Sequence, residues 1–308
     1  MVRSYFLNDL RDLYVSASAE FAKGLNLSRQ GREPESETMM QERKSIWYDR
    51  SKRLEQLDDH IIRQRKARFG SEELEESKKA DRVRRHFDSV AARYDLMNTL
   101  LSMGIHYAWK QFAIQHMGLK PGDRVLDVCG GTGDLSVSAL KAVGDTGQVV
   151  LCDINWRMMQ AGKYKPTHQA YRRKIQFVQG DAEQIAFPDE TFDQVMVGFA
   201  IRNITHMVRA FQEMYRVLKP GGVFMCLEFS KPATPWFRRL YDFYSFNIMP
   251  HLGDLLVGTR KAYTCLPETI RLFLMPEELS DIFRRIGYTD VRFKRLTNGI
   301  AVVHIATK

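Results

Sequence analysis

Four aspartates in the middle of the chain have the spacing of a ligand-binding site. Asp127 lies in an apolar, strand-like segment, Asp153 ends a second such segment and Asp181 ends a third. Asp134 follows the loop that leaves the first segment. Because ligands of parallel sheets bind beyond the carboxyl ends of the strands, these carboxylates are predicted to surround one crevice. Such a cluster of acids favours a cationic ligand over an anionic one.

The loop between the first segment and Asp134 reads CGGTG. Gly131 and Gly133 allow a tight turn into a helix that begins near Asp134, as in loops that hold nucleotides. A dinucleotide loop requires G-x-G-x-x-G, but from Gly131 this chain reads GTGDLS, with Ser136 in place of the third glycine. The lysine of a P-loop is also missing. Asp127 and Asp134 would repel a pyrophosphate, so the pattern argues against a nicotinamide dinucleotide.

S-adenosyl-L-methionine meets these requirements, because it carries an ammonium and a sulfonium beside a ribose with two hydroxyls. Asp153 is predicted to accept the ribose hydroxyls, and Asp181 with Ala182 to meet the adenine. Thr132 is predicted to lie at the methionine end, and Asp127 to orient the loop through backbone N–H groups. Taken singly, each acid could instead be a helix cap or a solvated loop residue. Their placement at successive strand ends favours the binding site.

Alternating strand and helix patterns must position these residues. Helical patterns such as 134–143 and 206–218 separate five apolar segments that predict buried strands, namely 124–128, 148–153, 175–181, 194–200 and 222–230. The last two strand-like segments, DVRFKRL and GIAVVHIATK, flank TNG and predict an antiparallel hairpin at one edge. The fold class is therefore α/β, with a Rossmann-like, mostly parallel sheet and an antiparallel C-terminal edge hairpin.

Composition limits the remaining possibilities. Hydrophobic residues make up 44% of the 308 residues, and no apolar stretch approaches the roughly 20 residues of a membrane-spanning helix. The four cysteines form no C-x-x-C pair, so neither a zinc site nor a disulfide framework is predicted. The first 18 residues include Asp9 and Asp12 and lack the apolar core of a secretory signal, which favours a cytoplasmic protein.

The charge is distributed unevenly along the chain. Residues 1–80 contain 16 basic and 15 acidic residues and are predicted to form a charged helical extension of unknown role. Residues 81–308, predicted to be the main domain, contain 30 basic and 22 acidic residues. This basic surplus would suit an anionic membrane surface, nucleic acid or an acidic substrate, and an ordinary solvated surface is the plain alternative.

Several longer segments resemble the S-adenosylmethionine-dependent C-methyltransferases of ubiquinone and menaquinone biosynthesis. The most specific are RYDLMN, IRN followed by YRVLKPGG, and LEFSKP, and the resemblance extends over about residues 80–308. It implies a class I methyltransferase fold with a seven-stranded sheet. The cofactor positions that it implies are Thr132, Asp153, Asp181 and Ala182.

The chain departs from the family pattern in two places. The family usually has a serine at the end of the fourth strand, where this chain has Gly198, so backbone or water would have to replace a hydroxyl contact to the cofactor. At 258–261 the residues Gly-Thr-Arg-Lys stand where the family has an Asn-Asp pair and an acid. This second departure is predicted to alter quinone preference or the lid of the active site.

The resemblance implies a polyprenylated quinol as substrate, and no metal. Methylating its ring carbon requires alignment and loss of a hydroxyl proton, and positioning alone can supply roughly 7 to 11 kcal/mol of the barrier. Arg202 and Asn203 follow the fourth strand and are predicted to stabilise a phenolate and to bind a quinol oxygen. His106 is the candidate base because its unperturbed pKa lies near neutrality. Packing or helix capping is the alternative role for His106.

The sequence is also compatible with other functions. The segment GFAIRN lacks the prolines and the stacking aromatic residue of enzymes that methylate base amino groups, so nucleic acid is not expected. A methyltransferase for another small molecule or for RNA, and a non-catalytic scaffold of a quinone-synthesis complex, are the alternatives. Segment 236–258 is rich in aromatic residues and leucine, and it is predicted either to contact a polyprenyl tail or the inner face of the membrane, or to cap the sheet. A homodimer is also left open.

Overall fold

The computed structural model describes residues 66–69, 72–91, 94–171, 173–249, 266–267 and 269–308. The helical extension was predicted for residues 1–80; its residues 1–65 and the departure at 258–261 lie outside the described residues. Within the described part of the chain, no helix is both long and apolar enough to cross a membrane.

An antiparallel hairpin precedes the helices of the N-terminal region. Its strands are β1 (Lys66–Phe69) and β2 (Glu72–Glu75). The prediction of a helix was therefore wrong at 66–75, where Ala67 and Phe69 are buried with the two-residue period of a strand. Three helices follow: α1 (Glu76–Val90), α2 (Tyr94–Leu101) and α3 (Ile105–Met117). Helix α1 runs across residue 80, so the division predicted there falls inside an element.

Seven strands form the main sheet. They are β3 (Arg124–Val128), β4 (Gln148–Asp153), β5 (Ile175–Gln179), β6 (Phe192–Gly198), β7 (Leu218–Phe229), β8 (Thr289–Leu296) and β9 (Ala301–Thr307). Their order is β5-β4-β3-β6-β7-β9-β8. The first five are parallel, whereas β9 is antiparallel to both β7 and β8. This arrangement confirms the predicted class I, mostly parallel fold with its antiparallel C-terminal edge.

Helices connect the strands and pack on the sheet. They are α4 (Asp134–Val143), α5 (Trp156–Lys163), α6 (Met207–Val217), α7 (Pro235–Phe243) and α8 (Pro276–Ile286). Helix α7 continues into a π-helical turn at Tyr244–Ile248. The fourth parallel strand, β6, leads into a short 3₁₀ turn at Ile201–Asn203, which carries two of the predicted substrate residues.

The sheet separates two apolar clusters. Because successive strand residues point to opposite faces, Leu126 and Val128 pack in one cluster with Phe211 of α6, whereas Val125 packs in the other with Leu140 of α4. Fully burying a side chain of this kind contributes about 1.5–3 kcal/mol. Burial on both faces fixes the central strands, so the loops at their carboxyl ends have a rigid base.

A candidate active site at the carboxyl ends of the strands

The glycine loop after β3 turns through positive backbone angles. Gly131 and Gly133 have φ values of 56° and 81°, and Gly133 immediately precedes α4. The Gly133 N–H donates to the carbonyl of Gly130 at 2.8 Å. Cys129 also has a positive φ, 55°, although it has a side chain. The loop therefore forms the tight turn that the sequence predicted, and its backbone borders the crevice above β3.

Asp153 holds this loop in place. Its Oδ2 accepts the Gly131 N–H at 2.8 Å, and its Oδ1 accepts the Asn155 N–H at 2.7 Å. Burial raises the pKa of Asp153 to about 6, against these two hydrogen bonds, which lower it. Each carboxylate oxygen can still accept a second hydrogen bond, so the geometry is compatible with two hydroxyls of a bound ribose.

Asp127 is fully buried beneath the loop. Its Oδ2 accepts a hydrogen bond from the Ser136 hydroxyl at 2.6 Å, while its Oδ1 has no partner in the described region. Burial raises the pKa of Asp127 to about 7. Ser136, which stands where a dinucleotide loop has its third glycine, thus pairs with a buried carboxyl. In the sequence alone, this serine is only a mismatch to the dinucleotide pattern. An unpartnered carboxylate oxygen next to the loop suits a ligand that carries hydrogen-bond donors or positive charge.

Asp134 does not contribute a free carboxylate to the rim. It forms ion pairs with Lys110 at 2.6 Å and with Lys165 at 2.5 Å. Burial alone would raise the pKa of Asp134, but a hydrogen bond from His168 and the charges of these two lysines hold it far below the usual range. The prediction that four acids surround one cationic ligand is therefore wrong for Asp134, because Lys110 and Lys165 compensate its charge. Asp127, Asp153 and Asp181 remain as candidate acidic ligands.

Thr132 is tied to the helix that precedes the core. Its hydroxyl donates to Asp95 Oδ1 at 2.8 Å and accepts from Lys165 Nζ at 3.3 Å. Lys165 also pairs with Asp95 Oδ2 at 2.8 Å. Helix α2 is thus linked through Asp95 to the glycine loop.

A small cavity of about 120 Å³ brings together most of the predicted cofactor residues, namely Gly131, Asp153, Asp181, Ala182 and Gly198. Ala182 is buried, whereas the exposed Asp181 accepts the Glu183 N–H at 2.9 Å. Helix α1 covers this cavity, since Asn155 Nδ2 donates to the carbonyl of Arg84 and to Asp88 Oδ1. Gly133 does not line this cavity; its positive φ serves the turn into α4.

Gly198 makes room for a neighbouring side chain. A Cβ atom at this position would lie 2.4 Å from Cδ1 of Leu135. The departure from the family's serine is therefore accompanied by a leucine that occupies the space. Gly162 has a similar role that the sequence did not reveal: a Cβ there would lie 2.1 Å from the carbonyl oxygen of Thr132. Because residue 162 has no side chain, helix α5 packs directly against the glycine loop after β3.

A larger cavity of about 550 Å³ adjoins the small one, and both are lined by Cys129, Gly131, Gly198 and Phe199. Its walls are predominantly apolar and come from distant segments, including Phe69, Met97, Trp109, Phe229, Tyr241 and Ile300. Asp127 and Thr132, which were predicted to bind the cofactor, line this larger cavity and not the small one, so the glycine loop after β3 borders both spaces. A planar apolar substrate could therefore lie beside a nucleotide-type cofactor.

His106 lies in the wall of this larger cavity. Its Nδ1 is 2.7 Å from the Ser102 hydroxyl oxygen, and its buried Nε2 has no hydrogen-bond partner among the residues described. Burial and, to a smaller extent, the charge of Lys110 lower the pKa of His106 to about 4. The imidazole is therefore neutral near pH 7 and can act as a hydrogen-bond acceptor.

Arg202 and Asn203 also line the larger cavity, as the sequence predicted for residues that follow β6. The Arg202 guanidinium donates from Nη1 to Glu228 Oε1 at 2.7 Å and to the carbonyl of Phe199. Both members of this pair are buried. The guanidinium also lies 5.1 Å from the ring centroid of Phe229. Glu228 was not among the predicted residues, and it compensates the charge that Arg202 was predicted to offer to a phenolate.

The fold is that of class I methyltransferases. A Thermotoga maritima SAM-dependent methyltransferase aligns with a TM-score of 0.51 and 20% identity over 73% of this chain and 98% of its own. The cyclase SpnF aligns with a TM-score of 0.54 and 16% identity over 73% and 95%. These similarities concern the fold alone.

The chain belongs to the ubiE/COQ5 methyltransferase family, whose model matches residues 75–308. Two similar relatives are named ubiquinone/menaquinone biosynthesis C-methyltransferase UbiE. The relative from Teredinibacter turnerae is 44% identical over 78% of this chain and 96% of its own length. The one from Ectopseudomonas mendocina is 45% identical over 78% and 94%. The predicted family, enzyme class and cofactor, S-adenosyl-L-methionine, are confirmed.

Proposed function

We propose that this protein methylates a ring carbon of a polyprenylated quinol, with S-adenosyl-L-methionine as methyl donor, in ubiquinone or menaquinone biosynthesis. The observation that carries the proposal is the apolar cavity of about 550 Å³, which shares seven lining residues with the small cavity of about 120 Å³ at the predicted cofactor residues. Such a space fits an aromatic ring and the beginning of a prenyl chain better than a polar substrate. The names of the relatives support the same substrate class.

The cofactor residues retain their predicted roles as proposals. Bound S-adenosyl-L-methionine supplies a methyl group on a positively charged sulfur. Asp153 would accept the ribose hydroxyls with its remaining lone pairs, and Asp181 with Ala182 would border the adenine. Gly131 and Thr132 would border the methionine portion. Asp127, buried with one unpartnered oxygen, would favour positive charge nearby.

The substrate residues have roles that follow from their contacts. His106 Nε2 would accept the proton of a quinol hydroxyl, and a weak base suffices because the hydroxyl becomes strongly acidic as the ring acquires positive charge. Asn203 would bind a quinol oxygen from the end of β6. Since Nη1 of Arg202 is already paired with Glu228, Arg202 is better suited to shape the wall beside Phe229 than to neutralise a free phenolate.

Product analysis tests this function. The full chain is incubated under reducing conditions with isotopically labelled S-adenosyl-L-methionine and either a demethylmenaquinol or a methoxy-polyprenyl-benzoquinol, and the extracted lipids are analysed by mass spectrometry. Addition of one labelled methyl group to either ring supports the proposal, and comparison of the two defines the quinone preference. Transfer to neither quinol, with the cofactor bound, would reject the substrate class.

The mouth of the larger cavity suits a membrane surface. Trp236, Leu240 and Phe243 lie on one face of α7 and are 66%, 56% and 58% exposed, and Met103 is 76% exposed. Leu240, Phe243 and Met103 also line the cavity. An exposed apolar rim at the entrance would allow a lipid-dissolved quinol to enter without crossing water. We therefore propose peripheral contact with the inner face of the membrane, from the cytoplasm.

Co-sedimentation with vesicles that contain anionic lipid tests this contact. Replacing Trp236, Leu240 and Phe243 together with serine should abolish sedimentation while cofactor binding is retained. Tyr164→Ser is the matched control, because Tyr164 is 64% exposed on α5's C-terminal side and lines neither cavity. Equal sedimentation of all three proteins would contradict the proposal. Sedimentation velocity of the same samples would test the homodimer, which stays a prediction.

A further inference from the structure

The Ser102 hydroxyl has a fixed hydrogen-bond direction. Its Oγ lies 2.6 Å from the backbone carbonyl oxygen of Asn98, one helical turn earlier. A carbonyl can only accept, so the single hydroxyl proton is directed to Asn98. Every other hydrogen bond to Ser102 Oγ must then be donated by its partner. The backbone N–H of His106 approaches the same oxygen at 3.4 Å, which agrees with that assignment.

This direction determines the tautomer of His106. Nδ1 lies 2.7 Å from Ser102 Oγ and must carry the proton that forms this bond. In a neutral imidazole only one nitrogen is protonated, so Nε2 retains its lone pair. His106 is 3% exposed and Nε2 has no partner in the described part of the chain, although the residue lines the larger cavity.

Two cationic groups line the same cavity, and each is paired with an acid. Lys110 Nζ is bonded to Asp134 at 2.6 Å, and Nη1 of Arg202 is bonded to Glu228 at 2.7 Å. The site therefore presents an unused acceptor at Nε2, while these cations are neutralised. A hydroxyl opposite Nε2 can donate a hydrogen bond to it, whereas a carbonyl at that position cannot.

We propose that Ser102 is a positioning residue that fixes His106 as a hydrogen-bond acceptor and so makes the cavity select the reduced quinol over the oxidised quinone. This inference rests on the proposed function. A quinol offers an O–H donor to Nε2, but a quinone offers only carbonyl oxygens. A carbonyl opposite Nε2 would leave two buried acceptors without partners, which is costly. The enzyme thereby avoids filling its site with a ring too electron-poor to be methylated.

Equilibrium binding under anaerobic conditions tests the selection. The probes are a 1,4-naphthoquinol with one prenyl unit and the matching 1,4-naphthoquinone, and the readout is quenching of tryptophan fluorescence, since Trp109 lines the cavity. In the unmodified full chain the quinol should bind about tenfold more tightly than the quinone, the ratio expected for one buried hydrogen bond. His106→Phe should weaken quinol binding to the level of the quinone.

The Ser102 variants separate positioning from packing. Ser102→Ala should bring the affinity ratio close to one, partly by tightening quinone binding, because the Nε2–H tautomer becomes available to donate to a carbonyl. Ser102→Thr, which keeps the hydroxyl, should restore the ratio. Ser138→Ala is the matched control, since Ser138 makes the same bond to a carbonyl one turn earlier, that of Asp134, and has no hydrogen bond to a histidine among the described residues.

The outcomes are distinguishable. Equal affinity of the unmodified protein for quinol and quinone, or an equal loss of both in Ser102→Ala, would overturn the role of Ser102 and leave the proposed function intact. Binding of neither probe by the unmodified protein would remove the proposed function and this inference together. A change of ratio in Ser102→Ala that Ser102→Thr and Ser138→Ala do not share supports the inference.

Discussion

The cofactor side and the substrate side of the active site are built in different ways. On the cofactor side, several contacts that hold the glycine loop join consecutive elements of the chain, such as Gly131 with Asp153 and Asp127 with Ser136. They are polar, and they rest on strands that are buried on both faces. The larger cavity is instead apolar and assembled from segments between Phe69 and Ile300.

The two sides are therefore expected to tolerate change differently. A loop held by buried carboxylates loses its geometry when one hydrogen bond is removed, because the freed polar group is left unpaired. An apolar wall can adjust to a volume-conserving substitution at a cost usually below about 1.5 kcal/mol. Substitutions on the cofactor side should accordingly change cofactor affinity and leave quinol affinity nearly constant.

Asp153→Ala should produce the largest difference between the loss of cofactor affinity and the loss of quinol affinity. It removes the acceptor of the Gly131 and Asn155 N–H groups and the proposed ribose ligand. Two or more hydrogen bonds to a charged group correspond to an affinity loss of about 100-fold. Isothermal titration calorimetry with S-adenosyl-L-methionine measures it, and Asp145→Ala, at an exposed acid, is the control. A cofactor Kd within twofold of the unmodified protein's would contradict the role of Asp153.

Gly162→Ala should disturb the same side without touching a polar group. The added Cβ would lie 2.1 Å from the carbonyl oxygen of Thr132, so the backbone of the loop or of α5 must move. Overpacking of this kind costs about 1–3 kcal/mol, which corresponds to about a 20-fold loss of cofactor affinity. Calorimetry again provides the measurement, with Gln160→Ala in the same helix as control. Normal cofactor affinity in Gly162→Ala would mean that the loop is not held by this contact.

The difference between the cofactor side and the substrate side also explains which parts of the site could be predicted from the sequence. Strand β3, strand β4 and helix α4 coincide with the predicted segments, because short continuous patterns determine them. Asp153, Asp181 and Gly198 meet in one cavity because strand order brings their ends together. Local signals and the rule for parallel sheets were sufficient for this part of the site.

Long-range pairs could not be predicted in this way. Lys110 and Lys165 neutralise Asp134 from two other elements, and Glu228 pairs with Arg202 from the neighbouring strand. No local pattern indicates which buried acid will meet which base, since that depends on side-chain reach in the folded structure. The hairpin at 66–75 was missed for a related reason: its strands are four residues long, too short for a periodic signal.

The pH dependence of cofactor affinity should report on a group of the cofactor side, Asp127. Burial raises the pKa of Asp127 to about 7. Its ionised form favours a cationic cofactor, so cofactor affinity should rise about fivefold between pH 6 and pH 8. Asp127→Asn should make this profile shallower in calorimetric titrations, and the dependence that is left should come from Asp153, whose pKa burial raises to about 6. A profile equally steep in Asp127→Asn would assign the dependence to another group.

The free energy of unfolding should change with pH in the opposite direction to cofactor affinity. Because the folded-state pKa of Asp127 exceeds its unfolded value, the folded protein binds more protons than the unfolded chain between about pH 4 and pH 7. The contribution of Asp127 to the free energy of unfolding of the cofactor-free protein therefore falls as the pH rises through this range. Chemical denaturation at several pH values, compared with Asp127→Asn, measures that contribution.

Gly198→Ser should have the smallest effect and should appear on both sides, since Gly198 lines both cavities. The new Cβ would lie 2.4 Å from Leu135 Cδ1, the end of a flexible side chain, so Leu135 can rotate away at modest cost. We expect cofactor and quinol affinities to fall by about threefold each, a cost below 1 kcal/mol. In the double variant with Leu135→Ala the clash is absent, so Gly198→Ser should then have no further effect on either affinity. Additive losses in that double variant would show that the serine hydroxyl itself, rather than the contact with Leu135, disturbs the junction of the two cavities.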